Sequence, residues 1–243
     1  MADIDRVREL LHGASKVVVF TGAGVSAESG IPTFRDALTG LWSNYEAESL
    51  ATEAGFTADP SLVWRWYASR SAAIRQCEPN AAHHAITRLQ SRVDTTVVTQ
   101  NVDGLHARAG AKDPIELHGN IVRARCFAGC GWRGDVDALE AADPGVPPHC
   151  PRCDAHARPD VVWFGEMLSE VAWARAEAAC RAADVCLVIG TSGLVHPAAG
   201  LPALARSGGA SIVVIGPEAT RLDDIAEVVL RGRAGDVLPL LVS

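Results

Sequence analysis

Short apolar runs give the first indication of the fold of this chain. Residues 17–20, 185–189 and 212–215 are apolar at consecutive positions and rich in valine and isoleucine. Unbroken apolar runs of this length are typical of central parallel strands that are covered on both faces. The first run belongs to a strand over residues 16–21, and residues 95–99 and 115–117 are read as further short strands. The pattern predicts an α/β protein with a doubly wound parallel sheet of Rossmann type.

Helical periodicity separates these strands. Residues 3–11 form an expected opening helix with Asp3 as its cap, Asn80 is expected to cap a helix to about residue 92, and Ser169 begins an alanine-rich helix to about residue 183. Residues 37–79 carry several aromatic side chains without strand alternation, which predicts a small helical module. We expect three parts: a Rossmann-like domain (1–36, 80–120 and 161–243), the helical module (37–79) and a third module (121–160).

The third module is poor in core residues and contains four of the seven cysteines. Cys126 and Cys130 are followed, nineteen residues later, by Cys150 and Cys153. Paired thiols at this spacing predict a tetrahedral zinc site, structural because protein fills all four positions. The first pair has one residue more than the commoner C-x2-C spacing, and four unrelated buried cysteines are the alternative. Cys77, Cys180 and Cys186 read as small core residues.

Composition narrows the classes of function. The 243 residues are 48% hydrophobic and carry a net charge of −7, which disfavours a general nucleic-acid interface. No apolar run approaches the roughly 18 residues of a membrane span. Residues 1–9 are too charged for a signal peptide. We therefore expect a cytoplasmic protein that binds neither membranes nor nucleic acid, and we expect a monomer.

The turn after the first strand is the strongest local signal. Gly22, Gly24 and Ala27 have the spacing G-x-G-x-x-A, which lets backbone approach a pyrophosphate at a strand-to-helix turn, although such a turn is also found as a plain connector. A dehydrogenase would place a second strand and an acidic ribose ligand roughly 20 residues later. This chain continues instead through Ser-Gly-Ile-Pro-Thr-Phe-Arg-Asp (29–36) into the helical module.

Together with four later segments, this region resembles the sirtuins, the NAD-dependent protein-lysine deacylases. The matching segments are Gly-Ala-Gly-Val-Ser (22–26) with 29–35, Thr-Gln-Asn-Val-Asp-Gly-Leu-His (99–106), Glu-Leu-His-Gly-Asn (116–120), Arg-Pro-Asp-Val-Val-Trp-Phe-Gly-Glu (158–166) and Gly-Thr-Ser (190–192). The resemblance covers about residues 16–236. It implies NAD as co-substrate, acylated lysine on proteins or peptides as substrate, and nicotinamide and O-acyl-ADP-ribose as products.

The resemblance also implies roles for individual residues. His118 is the expected general base, and Asn101 positions the ribose and a water; a purely structural histidine at this strand end is the alternative. The other expected cofactor-binding residues are Gly22, Ala23, Gly24, Ser26, Phe34, Arg35, Gln100, Asp103, Gly190, Thr191, Ser192, Glu218 and Ala234. Asp103 could instead cap the turn that follows it. Gly216 and His196 depart from the asparagine and the aromatic residue expected in the family, which leaves adenosine contacts near Gly216 open.

The expected substrate-binding residues decide the acyl group. The segment of Val162, Trp163, Phe164 and Gly165 reads as an extended edge for the substrate backbone, or as an ordinary connector. Tyr67 and Arg70 lie three residues apart on one helix face. This pair resembles the class III sirtuins, in which it binds the carboxylate of succinyl-, malonyl- or glutaryl-lysine, and Ala51 matches their small pocket residue. A plain deacetylase, a protein ADP-ribosyltransferase and a non-enzymatic NAD-binding module are the alternatives.

Overall fold

A computed structural model describes residues 2–32 and 50–242, and within them nine strands lie in two sheets. In chain order the strands are β1 (Lys16–Thr21), β2 (Asp94–Thr99), β3 (Ile115–Glu116), β4 (Gly119–Cys126), β5 (Arg133–Asp135), β6 (Ala157–Val161), β7 (Val185–Ile189), β8 (Ser211–Ile215) and β9 (Val228–Leu230). The larger sheet is parallel and has the order β3-β2-β1-β7-β8-β9. The predicted fold class is confirmed.

Helices cover both faces of this sheet, as continuous apolar strands require. The described helices are α1 (Ala2–Gly13), α2 (Glu53–Ala58), α3 (Pro60–Arg75), α4 (Ala81–Gln90), α5 (Leu105–Arg108), α6 (Val136–Ala142), α7 (Glu170–Ala182), α8 (Leu201–Ser207) and α9 (Ala234–Leu241). Side chains of α1, α4 and α9 form one core with the sheet, and those of α7 and α8 form the other. In the described part of the chain, no helix has the length and apolarity that crossing a bilayer would demand.

The central strand β1 determines where the carboxyl ends of its neighbours lie. Thr21 at its end is in register with Thr99 of β2 and with Ile189 of β7. Because the three strands are parallel and end at the same level, the segments that follow them leave from one edge of the sheet. Open α/β sheets bind their ligands at this carboxyl edge, where the strand order reverses.

The smaller sheet is antiparallel, with the order β5-β4-β6. It packs with α2 and α3 through a third apolar cluster that contains Phe56, Trp66, Ile121 and Trp163, all nearly inaccessible to solvent. Large aromatic side chains supply much of this core, which is how a sheet of three short strands obtains enough buried area. The cysteine pairs lie in this part of the chain.

The turn after β1 differs from the expected helix start. Two short 3₁₀ segments, Ala23–Val25 and Ala27–Ser29, follow Gly22, and Gly30 ends the second with a left-handed φ of 83°. At the first helix, Asp3 lies inside the first turn rather than at the cap. The caps on α4 and α7 are confirmed: the Asn80 side chain accepts the N–H of Ala82, and the Ser169 hydroxyl accepts that of Ala172.

Several elements were not predicted, among them β9, α8 and α9. The α9 sequence contains Pro239 inside the helix, where proline removes a backbone donor and normally interrupts the helical pattern. Its side chains Val237, Leu238 and Leu241 are buried against α4 and the sheet. Tertiary packing therefore stabilises a helix that local propensity disfavours.

Gly190 has a left-handed φ of 58°, and a Cβ built there would lie 2.5 Å from the backbone nitrogen of Val25. We predict that Gly190→Ala lowers the free energy of unfolding by about 2–4 kcal/mol, since backbone strain and a backbone clash act together. Urea denaturation followed by circular dichroism measures this change. Gly200→Ala is the matched control, because its added methyl meets nothing within 4 Å; equal effects of the two variants would contradict the prediction.

Candidate active site and metal centre

The ends of β1 and β2 are joined by hydroxyl groups. The Thr21 hydroxyl donates to Thr99 Oγ1 at 2.8 Å, and Thr99 Oγ1 also accepts the backbone N–H of Asn101 at 3.0 Å. Thr21 Oγ1 lies 2.9 Å from His106 Nε2. Since the Thr21 proton goes to Thr99, the His106 ring must donate from Nε2. A chain of hydrogen bonds thus runs from His106 on α5 to the backbone of Asn101.

Two buried histidines, His83 and His106, lie beside this chain of hydrogen bonds, and both are uncharged. Burial lowers the pKa of His106 to about 3 and that of His83 to about 4. Both rings are therefore neutral at physiological pH, and they pack against each other with centroids 4.9 Å apart and a tilt of 58°. The sequence analysis gave neither histidine a role of its own. The signal for both was weak, because a histidine on a helix gives no pattern of its own.

Asp103, Ser26 and Asn101 form one buried polar cluster. The Ser26 hydroxyl donates to Asp103 Oδ2 at 2.7 Å, and Asn101 Nδ2 donates to Ser26 Oγ at 3.1 Å. Asp103 Oδ1 accepts the backbone N–H of Leu105 at 2.8 Å, so the carboxylate does cap the turn at Gly104. Burial raises the pKa of Asp103, and these hydrogen bonds oppose the rise. Segments after β1 and β2 therefore meet here.

His118 lies just after β3, at the same edge of the sheet. Its Nδ1 is 2.9 Å from the carbonyl oxygen of Gln100. A carbonyl oxygen only accepts, so Nδ1 carries the proton and Nε2 is the basic nitrogen. Burial lowers the pKa of His118, and the hydrogen bond to Gln100 partly opposes this shift. The imidazole is therefore neutral at pH 7 and able to accept a proton.

Gly22 and Gly24, which follow β1, lie close to the backbone of the turn after β7. A Cβ on Gly22 would lie 2.7 Å from Thr191 Cβ, and one on Gly24 would lie 2.8 Å from Gly190 Cα. The Gly24 N–H donates to the Gly190 carbonyl at 2.8 Å. These glycines thus allow the turns after β1 and β7 to contact each other, a requirement that the sequence pattern did not reveal. The side chain of Gln100 also contacts the turn after β7, because its Nε2 donates a hydrogen bond to Thr191 Oγ1 at 2.9 Å.

The residues expected on the adenosine side are more dispersed. Ser192 and Glu218 are exposed on the segments after β7 and β8, whereas Ala234 is buried at the start of α9. Glu28, which the sequence analysis did not select, accepts the backbone N–H of Gly235 at 2.7 Å. This contact joins the segment after β1 to the start of α9. Phe34 and Arg35 lie outside the described residues.

A second group of side chains lies between α3 and the segment after β6. Tyr67 is buried, and its oxygen accepts the indole N–H of Trp163 at 3.1 Å. Ala51 belongs to the same apolar cluster, and its carbonyl accepts the backbone N–H of Phe164 at 2.9 Å. Arg70 lies one turn beyond Tyr67 on α3, with its guanidinium 4.8 Å from the centre of the Trp66 ring. The structure therefore brings the predicted acyl-pocket residues together.

Burial shifts the pKa values of both Tyr67 and Arg70. Burial raises the pKa of Tyr67 to about 12, although the nearby Arg70 guanidinium opposes the shift. Burial also lowers the pKa of Arg70, and Tyr67 opposes that shift in turn. An arginine starts so far above neutrality that Arg70 keeps its charge. The site thus offers a neutral phenol and a cation side by side.

The segment of residues 162–166 is only partly extended. The Val162 N–H donates to the His118 carbonyl at 2.9 Å, which ties the segment to the loop that carries the expected base. Gly165 then adopts a left-handed φ of 85°, and the Glu166 N–H donates back to the Trp163 carbonyl at 3.0 Å. The expected extended edge therefore ends in a turn. The Phe164 side chain is 47% exposed, whereas that of Trp163 is buried.

The four predicted zinc ligands converge. All four Sγ atoms of Cys126, Cys130, Cys150 and Cys153 lie within 4.8 Å of one another, with 3.3 Å between Cys126 and Cys153 and 3.4 Å between Cys130 and Cys150. Ligands 2.3 Å from a tetrahedral zinc ion are about 3.8 Å apart. Four thiolates filling every position suit a structural zinc ion. Cys77, Cys180 and Cys186 are not members of this cluster.

Comparison with known proteins agrees with this geometry. Residues 22–197 match the model of the Sir2 family. An NAD-dependent protein deacylase of Ralstonia nicotianae is 52% identical over 238 residues, which is 98% of this chain and 95% of that protein. A crystal structure of a Sir2 homologue in complex with NAD has a TM-score of 0.91 and 43% identity, covering 98% of this chain and 92% of the other.

A variant of a Sir2 homologue in complex with 2′-O-acetyl-ADP-ribose has a TM-score of 0.90 and 42% identity, and the match covers 98% of this chain and 94% of that one. Identity at this level extends over both sheets. The chain belongs to the Sir2 family, the sirtuins. NAD as cofactor is confirmed, and the four-cysteine cluster is consistent with the structural zinc ion that the sequence predicted.

We predict that Cys150→Ser removes zinc and lowers the free energy of unfolding by about 4 kcal/mol or more, because the small sheet loses its metal cross-link. Metal content is measured by plasma mass spectrometry and stability by thermal unfolding. Cys77→Ser is the control, since Cys77 lies outside the cluster and is only half-buried. A wild-type protein that is metal-free after native purification, with the stability of the variant, would contradict the prediction.

Proposed function

We propose that this enzyme, an NAD-dependent protein-lysine deacylase, favours lysines that carry acidic acyl groups: succinyl, malonyl or glutaryl. The observation that carries the proposal is that Tyr67 and Arg70 lie one turn apart on α3, with Tyr67 in the apolar cluster that contains Ala51 and Arg70 against Trp66 of that cluster. A charged guanidinium and a neutral phenol are the donors that a carboxylate needs. An acetyl group has no carboxylate to accept these hydrogen bonds.

The strength of this recognition follows from the chemistry of arginine. A planar guanidinium binds a carboxylate through two parallel hydrogen bonds, and it is more weakly hydrated than an ammonium group. A charge-assisted hydrogen bond contributes roughly 1.5–3 kcal/mol, or about 10- to 150-fold in preference over acetyl. Burial of Arg70 strengthens this interaction, because opposite charges attract more strongly where water is partly excluded. Ala51 leaves room for the longer acyl chain.

In the proposed reaction, the glycosidic bond of NAD is cleaved and nicotinamide is released. The acyl group is transferred from lysine to the ADP-ribose, which gives O-acyl-ADP-ribose. His118 takes up a proton from a ribose hydroxyl at Nε2, while the Gln100 carbonyl holds its Nδ1. General-base assistance of this kind contributes roughly 10²- to 10⁴-fold to a rate. His118 is thus the catalytic base of the proposed reaction.

The polar cluster at the end of β2 holds the co-substrate in the proposed site. Asn101 orients the ribose and an attacking water, and Asp103 receives the carboxamide of nicotinamide. Both side chains are already anchored through Ser26, so they lose little freedom when the ligand binds. The glycine turns after β1 and β7 lie beside the phosphates, where Gly190, Thr191 and Ser192 offer amides and hydroxyls.

The acylated lysine is presented by a protein or peptide that lies along residues 162–165. The backbone of this segment is tied to His118 on one side and to Ala51 on the other. A substrate strand that pairs with it is therefore held at a constant distance from both the base and the acyl pocket.

Plain deacetylation is the second candidate. The homologue structure with 2′-O-acetyl-ADP-ribose favours it, because that ligand carries an acetyl group. The two candidates share cofactor, base and products, and they differ only in what Tyr67 and Arg70 bind.

We predict that peptides with succinyl- or glutaryl-lysine are deacylated with kcat/KM about 10-fold or more above the acetyl peptide, and that Arg70→Met abolishes this preference. Mass spectrometry of the three peptides after incubation with NAD measures both quantities. Arg65→Met, on the same helix but exposed, is the control and should keep the wild-type ranking. Acetyl removal at least as fast as that of both acidic groups would refute the proposed preference.

The pH dependence tests the role of His118. Its neutral form is the active one and its pKa is lowered by burial, so kcat/KM should rise with pH and reach its plateau with a midpoint below the ordinary histidine value of about 6.5. Steady-state rates from pH 5 to 8 measure this profile, with folding checked by circular dichroism at each pH. His118→Ala should lower kcat by about 10²-fold or more. A midpoint above 6.5, or an unchanged acid limb in the variant, would speak against His118 as the base.

A further inference from the structure

Among the described residues, the Tyr67 oxygen has one hydrogen-bond partner, and the geometry of this bond limits where the phenolic proton points. The indole Nε1–H of Trp163 donates to it at 3.1 Å, and both side chains are at least 96% inaccessible to solvent. A phenolic proton lies close to the ring plane and has two orientations, one on each side of the oxygen. Because the Trp163 N–H occupies one side, the Tyr67 proton is directed to the other.

Trp163 itself is held from three directions. Its backbone N–H donates to Glu166 Oε2 at 2.8 Å, and the Arg158 guanidinium lies 3.1 Å from the centre of its ring. Arg158 also donates to Glu166 and, at 2.7 Å, to the Val161 carbonyl. Burial opposes the ionisation of Glu166, but the hydrogen bonds from Arg158 and from Trp163 outweigh it and lower its pKa. The Arg158–Glu166 ion pair and the ring of Phe56 therefore hold the indole in place; the centroids of the Phe56 and Trp163 rings are 5.4 Å apart.

We infer that Trp163 is a positioning residue for acyl recognition: its indole N–H turns the Tyr67 hydroxyl so that the phenolic proton is presented to the carboxylate of the acyl group. This inference rests on the proposed preference for acidic acyl groups. A donor that is oriented before the substrate arrives costs less on binding than one that must reorient. The contribution of Trp163 thus applies to acidic acyl groups and not to acetyl.

The high pKa of Tyr67, raised to about 12 by burial, keeps the phenol protonated at neutral pH. Its hydroxyl is therefore a donor there, and only its direction needs to be set. Trp163→Phe removes the N–H and retains an aromatic ring against Arg158 and Phe56. Trp173→Phe is the matched control, because Trp173 is a half-buried tryptophan on α7, on the far face of the parallel sheet.

The experiment measures kcat/KM for succinyl- and acetyl-lysine peptides in wild type, Trp163→Phe, Tyr67→Phe and the double variant. We expect Trp163→Phe to lower the ratio of the succinyl to the acetyl value about 3- to 10-fold, the double variant to equal Tyr67→Phe, and Trp173→Phe to behave as wild type. Equal losses on both peptides, or additive losses in the double variant, would overturn the inference while leaving the acidic preference in place. A wild type without acidic preference would overturn both.

A measurement on the wild-type fold covers the case in which Trp163→Phe does not fold. The chain has six tryptophans, so ¹⁵N-labelled protein has six indole signals. We expect one of them to shift in Tyr67→Phe and the same one to respond to the succinyl peptide but not to the acetyl peptide. No indole signal with both responses would overturn the inference.

Discussion

The parallel pairing of β1 between β2 and β7 is the constraint on which the rest of the structure depends. It brings Thr21, Thr99 and Ile189 to one level, so the chain leaves all three strands at the same edge. The turns after β1 and β7 then contact each other so closely that Gly24 and Gly190 have no room for side chains. Loss of either glycine would separate the strand ends and with them the groups that bind NAD.

Neutral and charged buried groups are divided between the two halves of the site. On the cofactor side, burial keeps His83, His106 and His118 uncharged, and the hydrogen bond from Nδ1 to the Gln100 carbonyl holds the ring of His118 in one tautomer. On the acyl side, Arg70 and Arg158 keep their charges in largely buried surroundings. A buried cation requires compensation, and Arg158 has it in Glu166; in the proposed function, the carboxylate of an acidic acyl group binds Arg70. The same low polarity that keeps an imidazole neutral strengthens the attraction between a guanidinium and a carboxylate.

Residues 162–166 join these halves. Val162 is bonded to the His118 carbonyl and Phe164 to that of Ala51, while the Gly165 turn returns Glu166 to Trp163. One short segment therefore spaces the expected base from the expected acyl pocket. A zinc ion held by the four cysteines, one of which is Cys126 at the end of β4, would stabilise the strands from which this segment emerges.

The sequence by itself determined the class of fold, the strands of the parallel sheet near their observed bounds, the Asn80 cap and the four-cysteine cluster, because each depends on local pattern or on residue types with few alternatives. The bonding of Thr21 to His106, the contact of Glu28 with Gly235, the 3₁₀ turns after Gly22 and helix α9 around Pro239 were decided only by tertiary structure. Each joins residues far apart in the chain or overrides local propensity by burial. The Trp163–Tyr67 hydrogen bond belongs to this second group, since its two residues are 96 positions apart and nothing in either neighbourhood indicates the other.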